Sequence, residues 1–184
     1  MILVFSHKKC RVKLSNLNGL SFEIIPYSKK YFDSVSALID SCFGSGYSLS
    51  VNIHRKDKLS WCALNDANEL IGFSLLKVED KKGVFELTVV DAAYRGIGVG
   101  TSLFDRRISK AKSLGLKNIV LYHWFRPNYV KPFCALKYGF YPAEIKMNYW
   151  FKQSLSFGYA CLECMQLPCV CNCIVYKLRL VLDD

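Results

Sequence analysis

The chain has 184 residues. It lacks any apolar run near the roughly 20 residues that a membrane-spanning helix needs. Internal repeats and low-complexity segments are also missing, which argues against a solenoid or a disordered chain. The opening MILVFSHKKC is too briefly apolar for a secretory leader, and no basic segment precedes it. A cytoplasmic protein with no membrane partner is the expectation. Acidic residues are scarce beside basic ones, 15 against 25, for a net charge of +10. Such a field favours anionic ligands (phosphate-bearing cofactors, acidic proteins, RNA) without choosing among them. Composition is otherwise that of one globular domain, 52% hydrophobic and 22% charged.

Nine cysteines without a secretory leader argue against a disulfide framework. Cys10, Cys42, Cys62 and Cys134 are scattered among apolar neighbours and are assigned to the core as small hydrophobes. The other five crowd into CLECMQLPCVCNC: Cys161, Cys164, Cys169, Cys171 and Cys173. The Cys-x-x-Cys start has zinc-knuckle spacing, and Pro168 stiffens the turn before the second set. Four thiolates around one Zn²⁺, with one thiol to spare, is the leading reading. An iron–sulfur cluster, redox-active thiols and a metal-free cysteine-rich hairpin use the same residues.

Periodicity gives the elements. SFEIIPY (21–27) reads as a strand, and the next segment is a helix with Phe32, Val35, Leu38, Ile39 and Phe43 at helical spacing, ended by Gly44 and Gly46. LSWCALNDANELIGFSLLKV is a hairpin, and GVFELTVV adds a third strand to the meander. Helical spacing then returns in TSLFDRRISKAKSLG, with Leu103, Phe104, Ile108, Ala111 and Leu114 on one side and the basic residues on the other. LKNIVLYHWF is a strand, YVKPFCALKYGF a short helix, and MNYWFK and CIVYKLRLVL are the last strands. The fold class is mixed α/β with a mostly antiparallel sheet flanked by helices. Residues 1–20 form an N-terminal extension to a domain at 21–184, and a cysteine-rich hairpin occupies 159–173.

Between a β-branched strand and the basic helix lies RGIGVG, with Gly96, Gly98 and Gly100 at alternate positions. A phosphate-binding Walker loop needs a closing Gly-Lys-Ser/Thr, and this one ends Gly-Val-Gly-Thr. The dinucleotide fingerprint needs Gly-x-Gly-x-x-Gly, and Thr101 stands at its third glycine. The loop instead resembles the pyrophosphate loop of the GNAT superfamily of acyl-CoA-dependent N-acyltransferases, Arg/Gln-x-x-Gly-x-Gly/Ala, filled by Arg95, Gly98 and Gly100. Successive backbone N–H groups at a helix N-terminus suit a diphosphate. NYVKPFCALKYGF is similar to a second family motif through Asn128, Gly139 and Phe140. The resemblance runs from about Ser21 to Met147.

The resemblance implies direct acetyl transfer from acetyl-CoA to an amine on a small molecule, a protein or an aminoacyl-tRNA. It places the diphosphate on Arg95, Gly96, Ile97, Gly98, Val99, Gly100 and Thr101. The pantetheine and thioester fall to backbone groups at Val89 and Val90, with Asn128 alongside. The pattern breaks at the family's acid, because Ala135 stands where a Tyr is usual and Lys131 replaces the motif's Ala. Tyr138, three residues on, is the substitute candidate, ahead of Tyr129 and Tyr141. Two bases compete. Glu86 is a carboxylate on an apolar strand, read as sharing parity with Val84, Thr88 and Val90. His123 could take a proton near pH 7. A catalytically silent acyl-CoA-binding module is the rival to an enzyme.

Overall fold

The computed structural model describes residues 12–15, 21–125 and 134–181, without the side chains of 12–15 and 134. Its strands are β1 (Val12–Ser15), β2 (Ser21–Pro26), β3 (Lys58–Asn65), β4 (Leu70–Glu79), β5 (Lys82–Val90), β6 (Asn118–Trp124), β7 (Tyr141–Lys146) and β8 (Cys173–Arg179). They form one eight-stranded sheet in the order β1-β2-β3-β4-β5-β6-β8-β7. Only β5 and β6 run parallel; the other neighbours are antiparallel. The expected mixed, mostly antiparallel sheet is present. Part of the N-terminal extension joins it as β1.

Helices cover both faces. On one face lie α1 (Phe32–Phe43), α2 (Tyr47–Ser50) and α4 (Phe151–Phe157); on the other lies α3 (Val99–Ser113). Helix α1 buries Val35, Leu38 and Ile39, the stripe its spacing requires. It stops at Gly44, with φ of 120°. A Cβ there would sit 2.1 Å from the Ala160 carbonyl oxygen, so only glycine lets the cysteine-rich segment pass so close. The Asp40 carboxylate then accepts from the N–H groups of Gly46 (3.1 Å) and Ser48 (2.7 Å), holding the turn into α2.

Helix α3 buries Leu103, Phe104, Arg107 and Ala111, so its basic residues do not all face solvent, and Leu114 is exposed. Arg107 is enclosed because the sheet supplies acceptors for it. An irregularity where Leu75 pairs with Leu87 but Leu76 pairs with Phe85 leaves Glu86 as the extra residue of β5. The Arg107 guanidinium donates to the Leu87 carbonyl (3.1 Å), the Leu75 carbonyl (3.4 Å) and the Thr88 hydroxyl. It also lies over the Phe85 ring at 4.2 Å. The bulge is thereby closed by a charge-assisted set of hydrogen bonds.

Two predicted elements are corrected. MNYWFK is not a strand: residues 147–150 turn, with Asn148 at a φ of 49°, and α4 starts at Phe151. Trp150 and Ser154 are buried four residues apart, a helical rather than an alternating spacing. The strand falls earlier, at β7. Residues 159–172 are likewise no β-hairpin but an irregular loop between α4 and β8, and Cys173 opens β8.

Candidate active site

The β5–β6 ladder runs from Lys82↔Asn118 to Phe85↔Leu121 and stops. Strand β6 stays paired to β8 as far as Trp124, and β5 stays paired to β4 as far as Val90. The sheet therefore splits between these two strands, and the edge of β5 from Glu86 to Val90 faces a cleft of about 1110 Å³. Backbone groups on such an edge need a partner, and an extended ligand chain with amides can supply one.

The glycine loop closes one end of the split. Gly96 and Gly98 have φ of 83° and 100°, conformations that favour glycine, and a Cβ on either would meet nothing within 4 Å. The requirement there is backbone conformation, with open space in front of it. Gly96, Gly98, Gly100 and Thr101 line the cleft, whereas Val99 is buried and Ile97 packs on the α3-side core. Gly98 precedes α3 with no side-chain cap, so the positive end of a 15-residue helix opens onto the cleft. Arg95 is braced: its Nε donates to the Val90 carbonyl at 3.0 Å, and its guanidinium approaches the Cys42 sulfur at 3.6 Å. Val89 and Val90 line the split beside it. Asn128 and Tyr129 lie outside the described residues.

The two candidate bases face opposite sides of the sheet. The bulge breaks the expected parity of Glu86 with Thr88: Thr88 meets Arg107 on the α3 side, while Glu86 turns toward Tyr47 and Tyr149. Glu86 Oε1 accepts from Lys58 Nζ at 2.8 Å, and the Lys58 side chain is only 4% exposed. Glu86 Oε2 is buried with no hydrogen-bond partner. A buried carboxylate oxygen left open beside a cleft is poised to accept a proton or an N–H. His123 is on the α3 side, its ring edge-on to Tyr176 with centroids 6.0 Å apart. Both line the cleft through the split.

Tyr138 is directed elsewhere. Its hydroxyl donates to Asp105 on α3 and its ring stacks on Phe104, and it is not among the residues lining the cleft. Ala135 is fully buried in the α3-side core, and Tyr141 is exposed.

The remaining wall is aromatic. Trp124 stacks on Trp150 (centroids 4.4 Å, 13° between planes) and on Phe43, which also stacks on Tyr47. Tyr122 stacks on Tyr149 at 5.3 Å. Burial, then the Glu86 charge, raises the Tyr47 pKa. Burial, then Tyr122, pushes Tyr149 up to about 12. Both phenols therefore stay protonated near neutral pH. Lys58, Tyr47 and Tyr149 were not singled out from sequence; the aromatic run NYWF was the available signal for Tyr149.

Behind this wall four of the five clustered thiols converge. One sulfur each from Cys161, Cys164, Cys169 and Cys171 lies within 4.8 Å of every other, a set that could hold a metal ion. Cys173 does not join them; it is fully buried on β8, opposite Trp124 and Lys146.

The cleft thus joins a split in the sheet, a glycine loop at an uncapped helix start and a carboxylate. Residues 26–140 match the acetyltransferase (GNAT) family, more than half of the chain, and the protein belongs to that family. Solved structures agree in fold. The ribosomal-protein-S18-alanine N-acetyltransferase from Escherichia coli superposes with a TM-score of 0.64 at 13% identity, over 89% of this chain and 96% of that one. An IAA acetyltransferase from Bacillus cereus gives 0.64 at 17% identity, covering 86% and 99%. Ard1 from Thermoplasma volcanium gives 0.64 at 18%, covering 87% and 98%. No curated protein matches the sequence. Among the described residues no helix is long and apolar enough to cross a membrane.

Proposed function

We propose that this protein transfers an acetyl group from acetyl-CoA to an amine by direct attack, with Glu86 as the base. The observation that carries the reading is the open β5 edge running straight into the glycine loop. The loop's free space and the α3 dipole suit the diphosphate of the cosubstrate. The strand edge suits the amides of its pantetheine arm, and a β5 N–H aimed at the thioester carbonyl would stabilise charge growing there.

The amine enters on the side of α1 and α4, where Glu86, Tyr47 and Tyr149 face the cleft. Its nitrogen attacks the thioester carbon, a C–N bond forms, the C–S bond breaks, and the departing thiolate takes the proton that the nitrogen sheds as the amide forms. The amine must lose a proton to attack. Glu86 Oε2 receives it, directly or through a water, while Lys58 holds the other oxygen in place. His123, on the far face beside Tyr176, is the second candidate. The acceptor class stays open among small amines, protein amines and aminoacyl-tRNA.

Acetyl-CoA-dependent thiol release over a panel of amines tests the proposal. With an active acceptor, Glu86→Gln should lower kcat by about 100-fold and leave acetyl-CoA affinity within twofold. Unchanged kcat in that variant would remove Glu86 from the role. No turnover of any amine by protein that binds acetyl-CoA would favour the silent binding module.

A further inference from the structure

The cysteine loop has little apolar substance of its own. Leu155 and Phe157 on α4, and Leu162, Met165, Leu167 and Val170 in the loop, are all exposed. The loop's buried side chains are Tyr159 and the thiols Cys161 and Cys169, and the segment is tied closely to the cleft. Its Cys169 N–H donates to Ser154 Oγ at 2.8 Å. The Cys171 carbonyl accepts from the Tyr149 N–H at 3.2 Å, and the Asn172 carbonyl from the Phe125 N–H at 3.0 Å. The Tyr159 hydroxyl donates to Gln153, and Ala160 is the backbone that presses on Gly44. Phe43, Tyr149, Trp150 and Gln153, the aromatic side of the cleft, are positioned by these contacts.

The sulfurs are arranged as ligands. Cys161 lies 3.1 Å from Cys164 and 3.5 Å from Cys171, and Cys164 lies 3.8 Å from Cys169. Tetrahedral zinc with Zn–S bonds near 2.3 Å sets neighbouring sulfurs about 3.8 Å apart, so small adjustments seat an ion. Peptide N–H groups point at the sulfurs: that of Cys164 at Cys161 (3.2 Å), and those of Gln166 and Val170 at Cys164. The fifth thiol, Cys173, has its own place in the core.

We infer that Cys161, Cys164, Cys169 and Cys171 bind one Zn²⁺, and that this ion fastens α4 and the end of α1 into the aromatic wall of the cleft. A closed four-thiolate set leaves no position for water or substrate, so the ion is structural. It reinforces a loop whose buried anchors are Tyr159, Cys161 and Cys169. The effect on acetyl transfer rests on the function proposed above, whereas the ion itself does not.

The test is metal analysis of full-length protein, purified without chelator and kept reduced, beside Cys164→Ser and Cys173→Ala. One zinc per chain is expected in wild type and Cys173→Ala, and a loss of at least tenfold in occupancy in Cys164→Ser, whose thiol is half-exposed. Cobalt exchanged into wild type should give the visible bands of a tetrahedral four-thiolate site, a readout independent of any variant's folding. Chelation should weaken the ultraviolet circular-dichroism signal of the stacked Trp124–Trp150 pair while acetyl-CoA binding persists within a few fold. Folded, reduced wild type that neither carries nor takes up zinc or cobalt would overturn the inference. So would iron with sulfide in place of zinc, or equal metal loss in Cys173→Ala. Acetyl-CoA titration of the same samples separates the two readings: zinc without acetyl-CoA binding condemns only the acetyltransferase, and binding without zinc only the metal site.

Discussion

The two walls of the cleft are built by different means. The loop wall, from Glu86 to Thr101 with α3 behind it, is made of backbone: two positive-φ glycines, a bulge and a strand edge without a partner. Arg107 completes it by satisfying carbonyls that the bulge frees. The aromatic wall, from α4 to β8, is made of side chains over a loop with exposed apolar residues and four gathered sulfurs. The family match ends at residue 140, so it takes in Phe43, Tyr47, Tyr122 and Trp124 of this wall but not Tyr149, Trp150 or the cysteine loop. A backbone-built wall can serve any acyl-CoA, because it reads a shared diphosphate and amide chain. A wall built of side chains is where acceptor choice can differ between relatives of one fold.

The sharpest way to break the comparison is to damage each wall separately. Arg107→Met removes a buried charged donor from carbonyls on both β4 and β5. It should cost about 3 kcal/mol of stability, read from the urea midpoint, and weaken acetyl-CoA binding while cysteine-bound metal stays in place. A loss under about 0.5 kcal/mol would mean that the bulge does not depend on this guanidinium.

The smallest effect belongs to neither wall. The Glu79 carboxylate at the β4–β5 turn is pulled from its ordinary 4.5 to about 2 by hydrogen bonds from Lys77 and then Lys82. Its folded pKa is depressed, so its contribution is present above about pH 4.5 and is lost as pH falls toward 2. The side chain is 36% exposed, and solvent screens the pair. Glu79→Gln should flatten the acid limb of stability in that window and change it by less than about 0.5 kcal/mol at pH 7. A larger change at pH 7, or an unaltered acid limb, would show that other carboxylates control this region.

Much of the loop wall could be read from sequence, because its chemistry is local. Gly96, Gly98 and Gly100 lie close together in the chain, and the meander before them reads as apolar runs set around a turn. What escaped reading depends on neighbours far along the chain. One extra residue at Glu86 reverses the parity of the strand, and no local pattern marks it. Arg107 looks like any solvated cation until the β4 and β5 carbonyls are placed beside it. Strand β7 is exposed over five of its six residues, so it has no alternation to find, whereas the aromatic NYWF imitates a strand while forming a turn and a helix start. The cysteine cluster was visible as composition, and the division into four gathered thiols and one core thiol followed only from the fold.

The central claim is that the loop wall exists to hold an acyl-CoA. Calorimetric titration of acetyl-CoA into wild type and Gly98→Glu tests it most directly. The variant places a carboxylate, on a residue forced to a φ near 100°, into the space left for the diphosphate. Wild type should bind with a micromolar Kd, about −8 kcal/mol, and a folded Gly98→Glu should show no measurable heat. Absence of binding by folded wild type, or equal binding by the variant, would contradict the account.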